Sequence, residues 1–142
     1  MSELYQRAVR LLARREHTRA ELARKLAPYG SDEEIETVLS ELSKASLQSD
    51  ARFAESYVRS QASRLGATRL RQILRTKGVA TDLIAASVDE LPDESQRIHV
   101  VWQKKFGTPP ADAREWAKQA RFLQGRGFAA ELIRKLLKEQ EA

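Results

Sequence analysis

Residues 69–77 read RLRQILRTK, and Arg69, Arg71, Arg75 and Lys77 form the densest cationic group in the chain. Glu55 is the only acid between residues 51 and 78. Cations at this density bind phosphate or carboxylate, the guanidinium as a two-pronged donor and the ammonium as a point charge. A second group comprises Arg14, Arg15, Arg19, Arg24 and Lys25, and a third Lys104, Lys105, Arg121 and Arg126. Taken singly, each of these is equally a member of a solvated charged face. Taken together, they point to an acidic partner, because Lys and Arg outnumber Asp and Glu by 25 to 20 and the net charge is +5.

No comparable set supports catalysis. His17 stands beside a helix start and His99 inside a helix, and neither has a second His or Cys one helical turn away to make a plausible metal pair. The carboxylates are many but lie at helical spacing on polar faces, and no pair stands out as an acid–base dyad. Gly125-Arg126-Gly127 lacks the strand and the Lys-Ser/Thr context of a phosphate loop. The chain has no cysteine, which removes disulfides, thiolate catalysis and Cys-ligated zinc and suits a reducing cytoplasm. No apolar run approaches the ~20 residues of a membrane span. The arginines of MSELYQRAVRLLARR interrupt any signal-peptide core. The residues therefore predict a cytoplasmic, non-enzymatic protein with no cofactor, no metal and no membrane contact.

The elements that position the cations are helical. Ile35, Val38, Leu39 and Leu42 recur at i, i+3, i+4 and i+7, Leu4, Ala8, Leu11 and Leu12 at i, i+4, i+7 and i+8, and Ile98, Val101, Trp102 and Phe106 at i, i+3, i+4 and i+8, all helical spacings. No stretch alternates at period two. Thr18 with Glu21, Ser31 with Glu34 and Asp112 with Glu115 have capping-box spacing, and Asp93 with Gln96 is a weaker version. Gly30, Gly66, Gly78, Gly107 and Gly127 follow apolar periodic runs, where a left-handed residue often ends a helix. Leu70 and Ile73 are expected to point inward beneath the cations of 69–77, and Tyr57 and Trp102 to be core.

The chain also repeats itself. ILRTKGVATDLIAASV at 73–88 returns as FLQGRGFAAELIRKLL at 122–137, with Leu, Gly, Ala and the Leu-Ile pair kept in register. Each copy reads as a short helix, a glycine turn, an apolar residue and a new helix. The first third has a looser copy, with Leu26 four before Gly30 and Ile35 in the place of Ile84. A small helical unit cannot bury its apolar stripe alone, so repeats of this kind share a core. The expected fold is all-α, three tandem three-helix repeats of helix-turn-helix type over 1–47, 48–91 and 92–142, in an elongated, curved array.

Charge follows the same period. Residues 1–30 carry seven basic and three acidic side chains, and 31–50 one and six. Residues 51–78 carry seven and one, 79–95 none and five, and 96–142 ten and five. The helix after the turn is therefore acidic in the first two repeats. In a DNA-reading helix-turn-helix it would enter the major groove. Facing a phosphate every ~1.7 Å of duplex axis, SDEEIETVLSEL and TDLIAASVDEL are repelled, so sequence-specific reading by these helices is disfavoured.

LLARREHTRAEL at 11–22, DARFAESYVRSQASRLG at 50–66, LRQILRTKGV at 70–79, KKFG at 104–107 and RFLQGRGF at 121–128 resemble, in order and spacing, the RecX family of bacterial regulators of the RecA recombinase. The turn RLGATRLRQ at 64–72 departs from the family pattern, carrying one glycine where a glycine-rich basic turn is common. The resemblance implies three tandem three-helix repeats, which the periodicity predicts independently. It also implies a protein that binds the RecA filament on DNA, lies in the filament groove, blocks filament extension or promotes disassembly, and depresses ATP hydrolysis, strand exchange and coprotease activity during recombination, DNA repair and the SOS response; a monomer is expected. It further implies affinity for single- or double-stranded DNA without sequence specificity. A general DNA-binding protein that competes for DNA is the alternative.

Overall fold

The computed structural model describes residues 2–140, and among these it contains nine α-helices, one short 3-10 turn and no strand. The helices are α1 (Glu3–Arg14), α2 (Arg19–Leu26), α3 (Asp32–Lys44), α4 (Asp50–Gln61), α5 (Ala67–Thr76), α6 (Thr81–Asp89), α7 (Glu94–Lys105), α8 (Ala113–Gly125) and α9 (Ala130–Gln140). The all-α repeat fold expected from the periodicity is the fold observed. The chain forms two compact units, 1–57 with 74–84 and 58–73 with 85–142, so α4, α5 and α6 each contribute residues to both.

In the first unit, Ala8, Leu22, Leu26, Ile35, Val38, Leu39 and Leu42 form one buried cluster from α1, α2 and α3. In the second, Ile98, Val101, Trp102, Leu123, Phe128, Ile133, Leu136 and Leu137 form another from α7, α8, α9 and the turn before α9. Both follow the predicted stripes, with Trp102 in the core; Tyr57 and Trp116 are only partly buried.

The duplicated 16-residue stretch encodes one device twice. At the end of α5, the Gly78 N–H donates to the Arg75 carbonyl and the Val79 N–H to the Leu74 carbonyl. At the end of α8, the Gly127 N–H donates to Gln124 and the Phe128 N–H to Leu123. Gly78 and Gly127 have φ of +89° and +94°. This is the Schellman termination, in which a left-handed residue satisfies the last helical carbonyls and a following apolar residue packs back on the helix. Val79 and Phe128 are that apolar residue, and they and Leu74 and Leu123 are buried.

Two other glycines do not act as predicted. Gly30 is extended, with φ −168°, because Pro28 turns the chain through the 3-10 segment Ala27–Tyr29 instead. Gly66 is not left-handed either; its N–H donates to the Arg126 carbonyl at 2.7 Å, and a Cβ on it would stand 2.4 Å from the Gly127 carbonyl oxygen. Its glycine is required by close backbone approach.

The caps also sort themselves. Thr18–Glu21 and Ser31–Glu34 are full capping boxes with both reciprocal bonds. Asp112 accepts from the Glu115 N–H, while Glu115 turns to Gln119 instead of reaching back. Asp93 accepts from Ser95, not through a Gln96 box.

One buried polar group holds the long connection after α7. Gln119, 1 % exposed, accepts from the Trp102 indole N–H at 2.8 Å and donates to the Thr108 carbonyl at 3.0 Å. Gln119→Leu is expected to cost roughly 1–3 kcal/mol in urea unfolding, because a buried indole N–H and a carbonyl lose their partner while side-chain volume is kept. An unchanged urea midpoint would show that these groups find other partners.

Candidate functional site

The predicted cations fall into three structural situations. The first is an internal charge node in the first unit. Glu21, on α2, is 8 % exposed and its carboxylate is ringed by Arg15 at 3.1 Å, Lys77 at 3.5 Å and the Thr18 N–H at 3.0 Å. The Thr18 hydroxyl donates to the Lys77 carbonyl at 2.7 Å, so the start of α2 and the turn before α6 are tied by side chain and backbone alike. Burial pushes the Glu21 carboxyl up; the Arg15 hydrogen bond, the Thr18 N–H and the charges of Lys77 and Arg15 together outweigh it and hold it at about 2.

His17 lies beside this node, 2 % exposed, with Nδ1 3.0 Å from the Arg15 carbonyl and Nε2 3.3 Å from Lys25 Nζ. Burial, followed by the charges of Arg15 and Lys25, lowers its pKa against the pull of the Arg15 carbonyl and Glu21. The ammonium can only donate, so Nε2 accepts and the ring's proton sits on Nδ1. Arg15, Lys25 and Lys77 are thus partly committed to the fold.

The second situation is surface pairing. Arg19 pairs with Glu36, and Arg71 with Asp89 at 3.4 Å. These pairs are exposed and worth little, so both cations stay exchangeable.

The third is cations without a carboxylate partner among the described residues: Arg14, Arg24, Arg75, Lys104, Lys105, Arg121 and Arg126 have none, and Arg69 bonds only Gln72, at 3.0 Å. Lys105 and Arg126 lie over the Phe122 ring, 5.2 and 4.9 Å from its centroid, and Phe106 meets that ring edge-on at 5.4 Å. Stacking fixes both heads without consuming their charge. The Arg69 backbone packs against Gly127, beside Arg126. Beneath the 69–77 cations Leu70 is buried, as expected, and Ile73 half-buried.

Sequence reading passed over three groups. Arg97 is buried; it donates to the Ala62 carbonyl at 3.2 Å and to the Leu65 carbonyl, closing the end of α4. Arg52 does the same for the end of α3 through the Ser46 and Leu47 carbonyls and pairs with Glu16 at 2.6 Å. Arg114 and Lys118 stand exposed on α8 without an acidic partner among the described residues. Their signal was present, since Arg114, Lys118 and Arg121 have i, i+4, i+7 spacing on one helical face.

Sequence profiles of the first, second and third three-helix domains of RecX match residues 5–42, 49–88 and 93–137. The chain belongs to the RecX family. Among its relatives, Regulatory protein RecX of Leptothrix cholodnii is 47 % identical over 134 residues, covering 93 % of this chain and 85 % of the relative. Regulatory protein RecX of Chromobacterium violaceum is 45 % identical over 132 residues, covering 92 % and 86 %. A crystal structure of RecX from Lactobacillus salivarius shares the fold with a TM-score of 0.81 at 20 % identity, covering 98 % of this chain and 95 % of that one. These RecX relatives are named for regulation, not for catalysis. Among the described residues no helix is long and apolar enough to cross a membrane, and no cluster of three or more His, Cys, Asp or Glu could hold a metal ion.

Proposed function

We propose that this protein binds RecA filaments on DNA and lowers the recombinase, ATPase and coprotease activities of RecA, acting as a cytoplasmic monomer in recombination and repair. Membership of a family of regulatory proteins along nearly the whole chain carries this reading. The charge distribution supports it. Cations free of acidic partners occur in both compact units, while the first turn of α3 exposes Asp32, Glu33 and Glu34. A third helix with that turn is a poor major-groove reader, so contact with DNA runs through phosphate and is independent of sequence. No step of chemistry is assigned to the protein; its effect is on the filament's assembly and turnover.

The test is RecA ATPase on single-stranded DNA, titrated with this protein at two DNA concentrations. Inhibition is expected to follow the protein-to-RecA ratio and to persist when DNA is in excess. Inhibition that vanishes with excess DNA would replace this reading with the alternative, a general DNA-binding protein that sequesters sites.

A further inference from the structure

The second unit contains a groove of about 840 Å³ between the end of α7, the Thr108–Pro109 connection and α8. Four cations line it: Lys105 from α7, and Arg114, Lys118 and Arg121 from one face of α8. All four are exposed, and none has a carboxylate partner among the described residues. The two acids on the same rim are already engaged, Asp112 by the Glu115 N–H at 2.8 Å and Glu115 by the Gln119 amide at 3.4 Å. The groove therefore presents a row of positive heads opposite a polar wall.

We infer that this groove is the seat for the sugar–phosphate backbone of single-stranded nucleic acid, with Arg114, Lys118 and Arg121 as the phosphate contacts and Lys105 closing one end. This rests on the nucleic-acid part of the proposed function and gives it a place. Three features favour a polyphosphate over an acidic protein segment. First, Arg114, Lys118 and Arg121 form a row of like charges on one face of α8, roughly 10 Å from end to end. A regular row of charges at that scale suits a regular row of phosphates. Second, the groove offers no free aromatic anchor: Phe106, its one aromatic, is half-buried and set edge-on against Phe122. Protein interfaces draw their affinity from such anchors, whereas phosphate binding needs only charge. Third, the wall is held firm, because buried Gln119 fixes the Thr108 carbonyl to the Trp102 side of the core. A fixed concave wall on which four cations outnumber two carboxylates presents a net positive field to an incoming polyanion.

The experiment uses the full chain and a fluorescein-labelled oligothymidylate, read by anisotropy across a NaCl series, beside cosedimentation with preformed RecA filaments. The triple variant R114Q/K118Q/R121Q is expected to lose at least roughly tenfold in oligonucleotide affinity, and its log–log salt slope to fall by about 2, since each lost contact on a single strand is worth ~0.7. The charge-keeping variant R114K/R121K is expected to retain the slope, which separates lost charge from disturbed folding. Unchanged affinity and slope in the triple variant would overturn the assignment. So would a wild-type chain with no measurable oligonucleotide binding, although the filament reading would then survive if cosedimentation persists. Lost cosedimentation with intact oligonucleotide binding would assign the groove to an acidic protein surface and also overturn it.

Discussion

Replacing Gly127 with alanine is expected to lower the unfolding free energy by roughly 3–5 kcal/mol, while replacing Gly125, two residues earlier, is expected to be neutral or to raise it by up to about 1 kcal/mol. Gly127 has φ +94°, a region that costs an L side chain roughly 1–2 kcal/mol. A Cβ there would stand 2.2 Å from Arg69 Cβ, 2.6 Å from Arg69 N and 2.9 Å from Arg69 Cα. Two of those three atoms are backbone, so relief requires the start of α5 to move. On the other side the Gly66 N–H is bonded to the Arg126 carbonyl at 2.7 Å, which holds the two segments together. Gly125 meets nothing within 4 Å and ends α8, where alanine is the better helix former. Urea unfolding followed by circular dichroism distinguishes the two. Equal effects at both positions would mean that the contact between the Gly66 and Gly127 backbones is not a stability determinant.

Glu21→Gln is expected to cost roughly 2–3 kcal/mol at neutral pH and to flatten the acid branch of the stability curve. The isosteric amide keeps the volume but leaves Arg15 and Lys77 without their shared anion. Both cations are partly exposed, so water recovers part of the loss, and the cost falls below that of a fully buried pair. The pH effect follows from linkage. The carboxyl sits at about 2 in the folded chain against an ordinary 4.5. Above 4.5 both folded and unfolded chains are ionised there and the stabilisation is complete. As pH falls from 4.5 towards 2 the unfolded chain takes up the proton first, and stability is lost across that window, by roughly 3 kcal/mol at most. His17 adds a loss that starts higher: its pKa is lowered from 6.5, so the unfolded chain protonates first as pH drops below that value. Urea midpoints at pH 7, 5 and 3 are expected to fall steadily in the wild type. In the Gln variant the fall between 5 and 3 is expected to shrink while the His17 loss between 7 and 5 remains. Parallel curves for the two proteins would show that Glu21 is not the group responsible.

The all-α repeat plan and most of the core were legible in the order of the amino acids, whereas the 3-10 turn Ala27–Tyr29 was not. Apolar residues at i, i+3, i+4 and i+7 leave one stripe to bury, and the caps Thr18, Ser31 and Asp112 begin helices where predicted, because these are local effects of side-chain spacing and of donors within three residues. The repeated Leu…Gly-Val and Leu…Gly-Phe patterns announced the same termination twice, and both glycines adopt it. The cationic character was equally legible, since composition and charge order are read directly.

Tertiary structure alone decided which charges remain available. Arg15 and Lys77, 62 positions apart, meet at one carboxylate, and no local pattern says that Glu21 will be buried between them. Gly66 looked like a helix-ending glycine but is small because Gly127 passes against it, 61 residues later in the chain. Arg114 and Lys118 share a helical face in the sequence, but only the Thr108–Pro109 connection walls a groove in front of them. Helix formation and capping depend on neighbours within a few residues, and the sequence lists those in order. The pairing, burial and concavity of charges depend on which distant segments the folded chain brings to within hydrogen-bond reach.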